Sequence, residues 1–349
     1  MPISTSTETF RRSHSSPAIS ETSRATQLRY RSLGSSSINV SILGFGAWGI
    51  GGRTPGATSY GETDDAVSRR ALHEALEHGI TFFDTASVYG DGHSEELIGE
   101  CFKDRRHEVV IATKGGITKS FRGYDFSASA LRASLEGSLR RLRTDYVDLF
   151  QLHNAGSNVV LGHPDIGDAL NRFLEEGKIR AYGFSTPSPQ EAVALLDFPN
   201  TASFQVNCNL LDWRAVDLGL FRRAFAQNIS IIARTPLAFG ILTETITNDT
   251  IFGADDHRSR WSRDKIAVWL EAADALFSTI AHGGYRESRT ATALRFCLSF
   301  DAVTTVIPGM MSPEDVRANV AACKQGSLDL SLIRCIERIY RQYESRLEG

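Results

Sequence analysis

Short apolar runs alternate with helical segments eight times between Val40 and Ile307, and this alternation constrains the fold of the 349-residue chain more than any other feature. The runs are NVSILGFGAW, TFFDT, VVIAT, VDLFQLH, AYGFS, SFQVN, ISIIART and AVTTVI. Between them lie segments with helical spacing. In DDAVSRRALHEALEHG, Ala66, Ala71, Leu72, Ala75 and Leu76 fall toward one side and Gly79 acts as a stop. Strands separated by helices read as βα units with parallel strands, because a parallel connection needs a crossover long enough to return to the starting edge. Eight such units close into a (β/α)8 TIM barrel of class α/β. A doubly wound sheet is the alternative, and the glycines of GFGAWGIGG invite it. Polar residues, however, stand just after several different strands, where a barrel places its chemistry, and this favours the barrel. The sequence therefore predicts one barrel over residues 29–349, with a long loop after the seventh strand, from Thr243 to His282, and a C-terminal helix.

Composition excludes several functions. Hydrophobic residues make up 42% and charged residues 23%, enough apolar material for a sizeable core. A net charge of −3 leaves no basic excess for a nucleic-acid backbone. No apolar run is long enough to span a bilayer. The five cysteines, Cys101, Cys208, Cys297, Cys323 and Cys335, show no C-x-x-C pair and read as small buried hydrophobes in a reducing compartment. The histidines form no H-x-x-x-H or H-E-x-x-H set, so no metal is expected. Residues 1–28, crowded with Ser and Thr, read as a disordered tail without a secretory segment, which together with the free cysteines gives a cytoplasmic expectation. Arg11, Arg12 and Arg24 in that tail keep organelle import as an alternative.

Four polar residues stand out by position: Asp84 and Tyr89 in FFDTASVYG, Lys114 in IATKGG and His153 in FQLHN. Strands two, three and four would deliver them to one rim. A tyrosine is a poor acid at neutral pH, but a nearby ammonium stabilises its phenolate and lowers its pKa. Lys114 is placed to supply that charge, Asp84 to hold Lys114 protonated, and His153 to donate a hydrogen bond to a substrate carbonyl. Singly, each has an ordinary structural reading as a cap, a packed aromatic or a core histidine. Their joint arrangement at successive strand ends points to a proton donor beside a polarised C=O.

GITFFDTASVYGDGHSEELIGE, VVIATKGG and DYVDLFQLHN resemble the segments that hold the Asp-Tyr-Lys-His tetrad of aldo-keto reductases, and the resemblance runs from about Val40 to Ala322. It implies a TIM barrel that binds an extended nicotinamide dinucleotide without a Rossmann domain. It also implies Tyr89 as general acid/base, assisted by Asp84, Lys114 and His153. By the same resemblance, Ser185 and Thr186 of GFSTP and Gln205 of SFQVN hold the nicotinamide carboxamide, with Thr186 where the family usually has Asn. Pro236, Leu237, Gly240 and Leu242 of IIARTPLAFGIL cover the pyrophosphate. Arg234 occupies the place where many relatives put a Tyr against the nicotinamide ring, and a planar guanidinium can also stack. Trp48 joins the cofactor-binding set and, with Tyr89, His153 and Trp261, the substrate wall.

Relatives carry Lys or Arg in the segment matching IPGMMSPEDVRANV to pair with the 2′-phosphate of NADP. Here Gly309, Met310 and Met311 are neutral and Asp315 is acidic. Ser312 resembles a helix cap and Asn319 an adenine contact. Either NAD or NADP is expected, with a slight preference for NAD(H), and Arg317 is the residue that could restore phosphate binding. The expected partner is a small carbonyl or alcohol substrate, a sugar-like one fitting the resemblance, with no nucleic acid and no membrane. The alternatives are an internal-redox epimerase or lyase, and a redox-sensing or scaffold subunit with a bound cofactor, as the resemblance to channel-associated members suggests.

Overall fold

The computed structural model describes residues 27–347. The tail expected at residues 1–28 thus lies outside the described residues up to residue 26, whereas Leu28 at its end is packed into the core. Next comes an antiparallel hairpin, β1 (Tyr30–Ser32) and β2 (Asn39–Ser41), which the sequence reading did not separate from the first barrel strand.

Eight parallel strands follow: β3 (Phe45–Gly46), β4 (Phe82–Asp84), β5 (Val110–Gly115), β6 (Val147–His153), β7 (Ile179–Ser185), β8 (Thr201–Asn207), β9 (Ser230–Arg234) and β10 (Val303–Ile307). They lie side by side in chain order. Hydrogen bonds from Gly44 N to Val306 O (2.8 Å), Val306 N to Ile42 O (2.9 Å) and Gly46 N to Pro308 O (2.9 Å) join β10 to the first strand and close the barrel. The run NVSILGFGAW is therefore divided. Its first residues pair with β1, Leu43 bridges Val306, and only Phe45–Gly46 pair with β4.

Between the strands stand α1 (Asp65–Glu77), α2 (His93–Phe102), α3 (Ala128–Leu142), α4 (Ser157–Gly162), α5 (Asp165–Glu175), α6 (Pro189–Ala194), α7 (Arg214–Asp217), α8 (Leu220–Ala226), α9 (Arg263–His282), α10 (Arg289–Leu298), α11 (Pro313–Lys324) and α12 (Leu330–Leu347). Their starts are chemically marked. The Asp64 carboxylate accepts from Ala66 N and Val67 N, and Ser127, Ser262, Ser288 and Ser312 hydroxyls cap later helices. The segment VDLGLFRRAFAQ is shared between two helices, α7 and α8, broken where Gly219 takes φ 66°. The connection after β9 is a loop only up to residue 262. Its second half is α9, which packs on α12 and is joined to it by a forked Arg346–Glu271 pair (3.0 and 2.6 Å).

The period-2 alternation of strand side chains sorts the barrel interior into layers. Phe82, Ala112, Leu149 and Ile232 meet Leu33, Ile38 and Val40 of the hairpin region in an apolar plug. Two residues further along the same strands stand Asp84, Lys114, Gln151 and Arg234. The interior is thus apolar toward the strand starts and polar toward their ends.

Outside the reaction end, Asp148 on β6 is 1% exposed and accepts from Arg106 Nη2 (2.7 Å), Arg180 Nη1 (2.8 Å) and Ile111 N (2.9 Å). Asp148→Ala leaves these donors without their acceptor and is expected to cost about 3 kcal/mol or more. Urea unfolding measures this, and a loss below about 1 kcal/mol would show the cluster to be dispensable.

Candidate active site

Strand register gathers the polar residues. Asp84 pairs with Ala112, Lys114 with Gln151, His153 with Ser185, Ser185 with Gln205, and Asn207 with Arg234. Tyr89 follows β4 on a tight turn in which Gly90 (φ 62°) and Asp91 (φ 51°) are left-handed. A Cβ on Gly90 would stand 2.0 Å from the Gly51 carbonyl oxygen, so only glycine fits there. The Asp91 carboxylate accepts from Ser120 N and Ser120 Oγ, both at 2.7 Å, tying this turn to the loop that carries Phe121.

The Lys114 ammonium is fully buried and all three of its protons are used. Nζ donates to Asp84 Oδ1 (2.5 Å), to Thr85 O (2.9 Å) and to Tyr89 Oη (3.2 Å). Burial works against this charge, yet Asp84 and the Tyr89 phenol together outweigh it and hold Lys114 above its ordinary value. For Tyr89 the balance goes the other way. Burial raises its pKa more than the Lys114 ammonium lowers it, so the phenol is protonated at neutral pH, contrary to the lowering expected from sequence. The second Asp84 oxygen accepts from Gln205 Nε2 (2.8 Å) and Gln151 Nε2 (3.1 Å).

The His153 ring meets Tyr89 edge-on, with centroids 5.7 Å apart. Burial, then the charges of Lys114 and Arg234, push its pKa well below the usual histidine value. The imidazole is therefore neutral and has one N–H to donate. Its Nδ1 is buried without a hydrogen-bond partner.

A cavity of about 640 Å³ at this end is bordered by Asp84, Tyr89, His153, Trp48, Gln205, Arg234, Pro236, Leu237, Gly240, Gly309 and Asp315, all expected from sequence. Ser185 and Thr186 lie behind that wall. The Ser185 hydroxyl oxygen accepts from Arg234 Nη1 (2.8 Å), and the Thr186 hydroxyl donates to Ser188 O (3.0 Å). The Leu242 side chain is buried in the outer core, away from the cavity. Ser312 caps α11, and Asn319 is buried in the second turn of that helix. Trp261 does not border the cavity; it packs edge-on against Trp269 (4.9 Å) and Phe239 (5.7 Å) and anchors the loop after β9.

The cavity also has walls that the sequence reading missed: Asn154, Asn207, Tyr60, Phe121, Phe239 and Arg258. Asn154 and Asn207 were legible, since each ends a strand-like run, FQLHN and SFQVN. So was Gln151, two residues before His153 and hence on the same strand face. The aromatic residues come from loops and carried no such signal. Trp48 packs at a tilt against Tyr60 (4.9 Å) and His257 (4.8 Å), and the His257 amide donates to Ser59 O (2.8 Å), so the loops after β3 and β9 form one wall.

The model of the Aldo/keto reductase family matches residues 42–341. The chain belongs to the aldo/keto reductase family. L-galactose dehydrogenase of Arabidopsis thaliana is 31% identical over 308 residues, covering 85% of this chain and 88% of the relative. The NADH-specific methylglyoxal reductase of Escherichia coli is 28% identical over 333 residues, covering 90% and 98%. Among solved structures, an aldo-keto reductase from Bacillus halodurans in its holo form superposes with a TM-score of 0.73 at 28% identity, covering 91% of this chain and all of the other. Among the described residues, no helix is long and apolar enough to cross a membrane. Nor does any group of three or more His, Cys, Asp or Glu among them fit a metal ion.

Two neutral histidines give this protein an acid-side weakness. Burial lowers the pKa of His257 to about 4, against a smaller opposing pull from Asp256, and lowers that of His153 as described. Below about pH 6.5 the unfolded chain binds protons that the folded chain refuses, so stability falls as pH drops from there toward the folded values. The melting temperature is expected to decline between about pH 7 and 5, a window in which few carboxylates titrate, and His257→Asn to flatten part of that decline. An unchanged slope in the variant would remove His257 from the account.

Proposed function

We propose that this aldo/keto reductase interconverts a carbonyl and an alcohol, with NAD(H) or NADP(H) as the hydride partner and Tyr89 as general acid/base. One observation carries the reading: a protonated phenol receives a hydrogen bond from a buried ammonium that an aspartate holds charged, and a neutral imidazole stands beside it. The carbonyl oxygen of a substrate would accept from the Tyr89 O–H and the His153 N–H. As negative charge grows on that oxygen, Tyr89 transfers its proton and Lys114 stabilises the phenolate left behind. Asp84 takes no proton; it keeps Lys114 charged. In the alcohol direction the same proton returns to Tyr89.

A nicotinamide dinucleotide, when bound, supplies or removes the hydride. The chain offers places for each of its parts. Gln205, Asn154 and Ser185 suit the carboxamide, with Asn154 providing the side-chain amide that Thr186 lacks. Trp48 suits the ring end, and Pro236, Leu237 and Gly240, with the turn leading to Leu242, suit the pyrophosphate. Gly309, Ser312, Asp315 and Asn319 surround the place for the adenosine. The cradle has room at its adenosine end, since a Cβ added to Gly309 would meet nothing within 4 Å. The aromatic faces of Trp48, Tyr60, Phe121 and Phe239 beside the polar Arg258 suit a small sugar- or polyol-like substrate. Incubating the protein with a panel of aldoses, ketoses and polyols and each cofactor, followed by nicotinamide absorbance, tests the reading. Absence of turnover with every pair, despite measurable cofactor binding, would favour a non-catalytic role.

A further inference from the structure

Arg234 is a partly buried cation on the cavity wall whose hydrogen-bond partners are all neutral. Nε donates to Asn207 Oδ1 (2.9 Å), Nη1 to Asn154 Oδ1 (3.1 Å) and to Ser185 Oγ (2.8 Å), and Nη2 to Thr186 O (2.9 Å). The carboxylates whose charge it feels are each bound to another cation, Asp84 to Lys114 and Asp212 to Arg214. Arg258, the other guanidinium on the cavity wall, is neutralised by Asp256. A guanidinium does not give up its proton in a protein, so burial here leaves a fixed positive charge. With Asp84 and Lys114 cancelling, the reacting end of the cavity carries one uncompensated positive charge.

That charge borders the space where hydride transfer must occur. Tyr89 and His153 fix the substrate oxygen, and a reacting ring carbon must come within about 3–3.5 Å of the carbon bearing it. The ring is thereby confined to the part of the cavity bordered by Tyr89, His153, Asn154, Gln205, Asn207 and Arg234. The four acceptors leave the guanidinium little freedom to swing away. The oxidised nicotinamide ring carries a positive charge and the reduced ring carries none.

We propose that Arg234 makes the site selective for the redox state of its cofactor, favouring the reduced, uncharged ring over the oxidised, cationic one. The proposal rests on the nicotinamide reading above. Two like charges about 6 to 12 Å apart at an effective dielectric of about 20 alter affinity by roughly 10- to 100-fold. The protein therefore takes NADH from an equal mixture with NAD⁺. Arg234 also orients the carboxamide partners. Because Ser185 Oγ and Asn154 Oδ1 accept from the guanidinium, the hydroxyl proton of one and the amide protons of the other remain to be donated.

Calorimetric titration of the unmodified protein with NADH and with NAD⁺, repeated with NADPH and NADP⁺, tests this without turnover. The expected result is a Kd for the reduced member at least about tenfold lower in whichever pair binds. Arg234→Lys, which keeps the charge, should preserve much of that ratio, and Arg234→Gln should bring it toward unity. Equal affinities in the unmodified protein overturn the proposal even if no variant folds, as does an unchanged ratio in Arg234→Gln. Binding of none of the four nucleotides overturns the cofactor reading, and the proposal with it. Binding of both members at equal strength overturns the proposal alone.

Discussion

Replacing Tyr89 with Phe is expected to lower turnover by about 10²- to 10⁴-fold while leaving cofactor affinity nearly unchanged. The variant keeps the ring that faces His153 and loses only the hydroxyl that Lys114 contacts at 3.2 Å. Without it there is no proton to give to the developing alkoxide and no phenolate for the ammonium to stabilise. The loss should appear in kcat, because the hydroxyl acts chiefly as charge develops rather than in holding the ground state. Steady-state kinetics with a separate nucleotide titration distinguishes the two effects. Wild-type-like turnover would end the assignment. A large fall in nucleotide affinity would instead make Tyr89 a binding residue.

NAD(H) is expected to be used at least as well as NADP(H), with a kcat/KM advantage of up to about tenfold from the missing phosphate contacts. The place where a 2′-phosphate would seek donors at the start of α11 already holds a carboxylate. Asp315 Oδ2 accepts from Met311 N and Ser312 N, both at 3.0 Å, and Asp315 N donates to Ser312 Oγ in a reciprocal capping box. Arg317, the residue that could have restored phosphate binding, is engaged by Glu74 (2.9 Å) and Glu314 (2.5 Å). Asp315→Arg removes the anion and adds a cation, and should shift preference toward NADP(H) at a stability cost of about 1 kcal/mol from the lost cap. Measuring kcat/KM for both cofactors in both proteins decides the matter. A strong preference for NADP(H) in the unmodified protein would refute the charge argument.

The two expectations differ in how far sequence alone could carry them. Asp84, Lys114 and His153 were legible because each ends an apolar run, and a parallel barrel brings all such ends to one rim. Tyr89 lies beyond its strand, and its distance to Lys114 depends on a left-handed turn at Gly90 and Asp91 that no periodicity reports. The sign of its pKa shift was misjudged for the same kind of reason. The opposing charge is visible as a lysine in the sequence, whereas the burial that outweighs it belongs to the assembled cavity.

The chain's own pattern determined the α/β alternation, the helix starts at Asp64, Ser127, Ser288 and Ser312, and the gathering of strand-end polar residues. These follow from local periodicity, capping chemistry and the period-2 direction of strand side chains, all properties of neighbours in sequence. Tertiary structure alone decided the division of NVSILGFGAW between a hairpin and the barrel, and the folding of half the connection after β9 into α9. It alone also set the neutral surroundings of Arg234 and the pairing of Arg317 with Glu74, 243 residues away. Each of these depends on which distant groups a side chain or segment meets once the barrel closes. Burial and charge compensation are sums over such neighbours, and a linear pattern does not contain them.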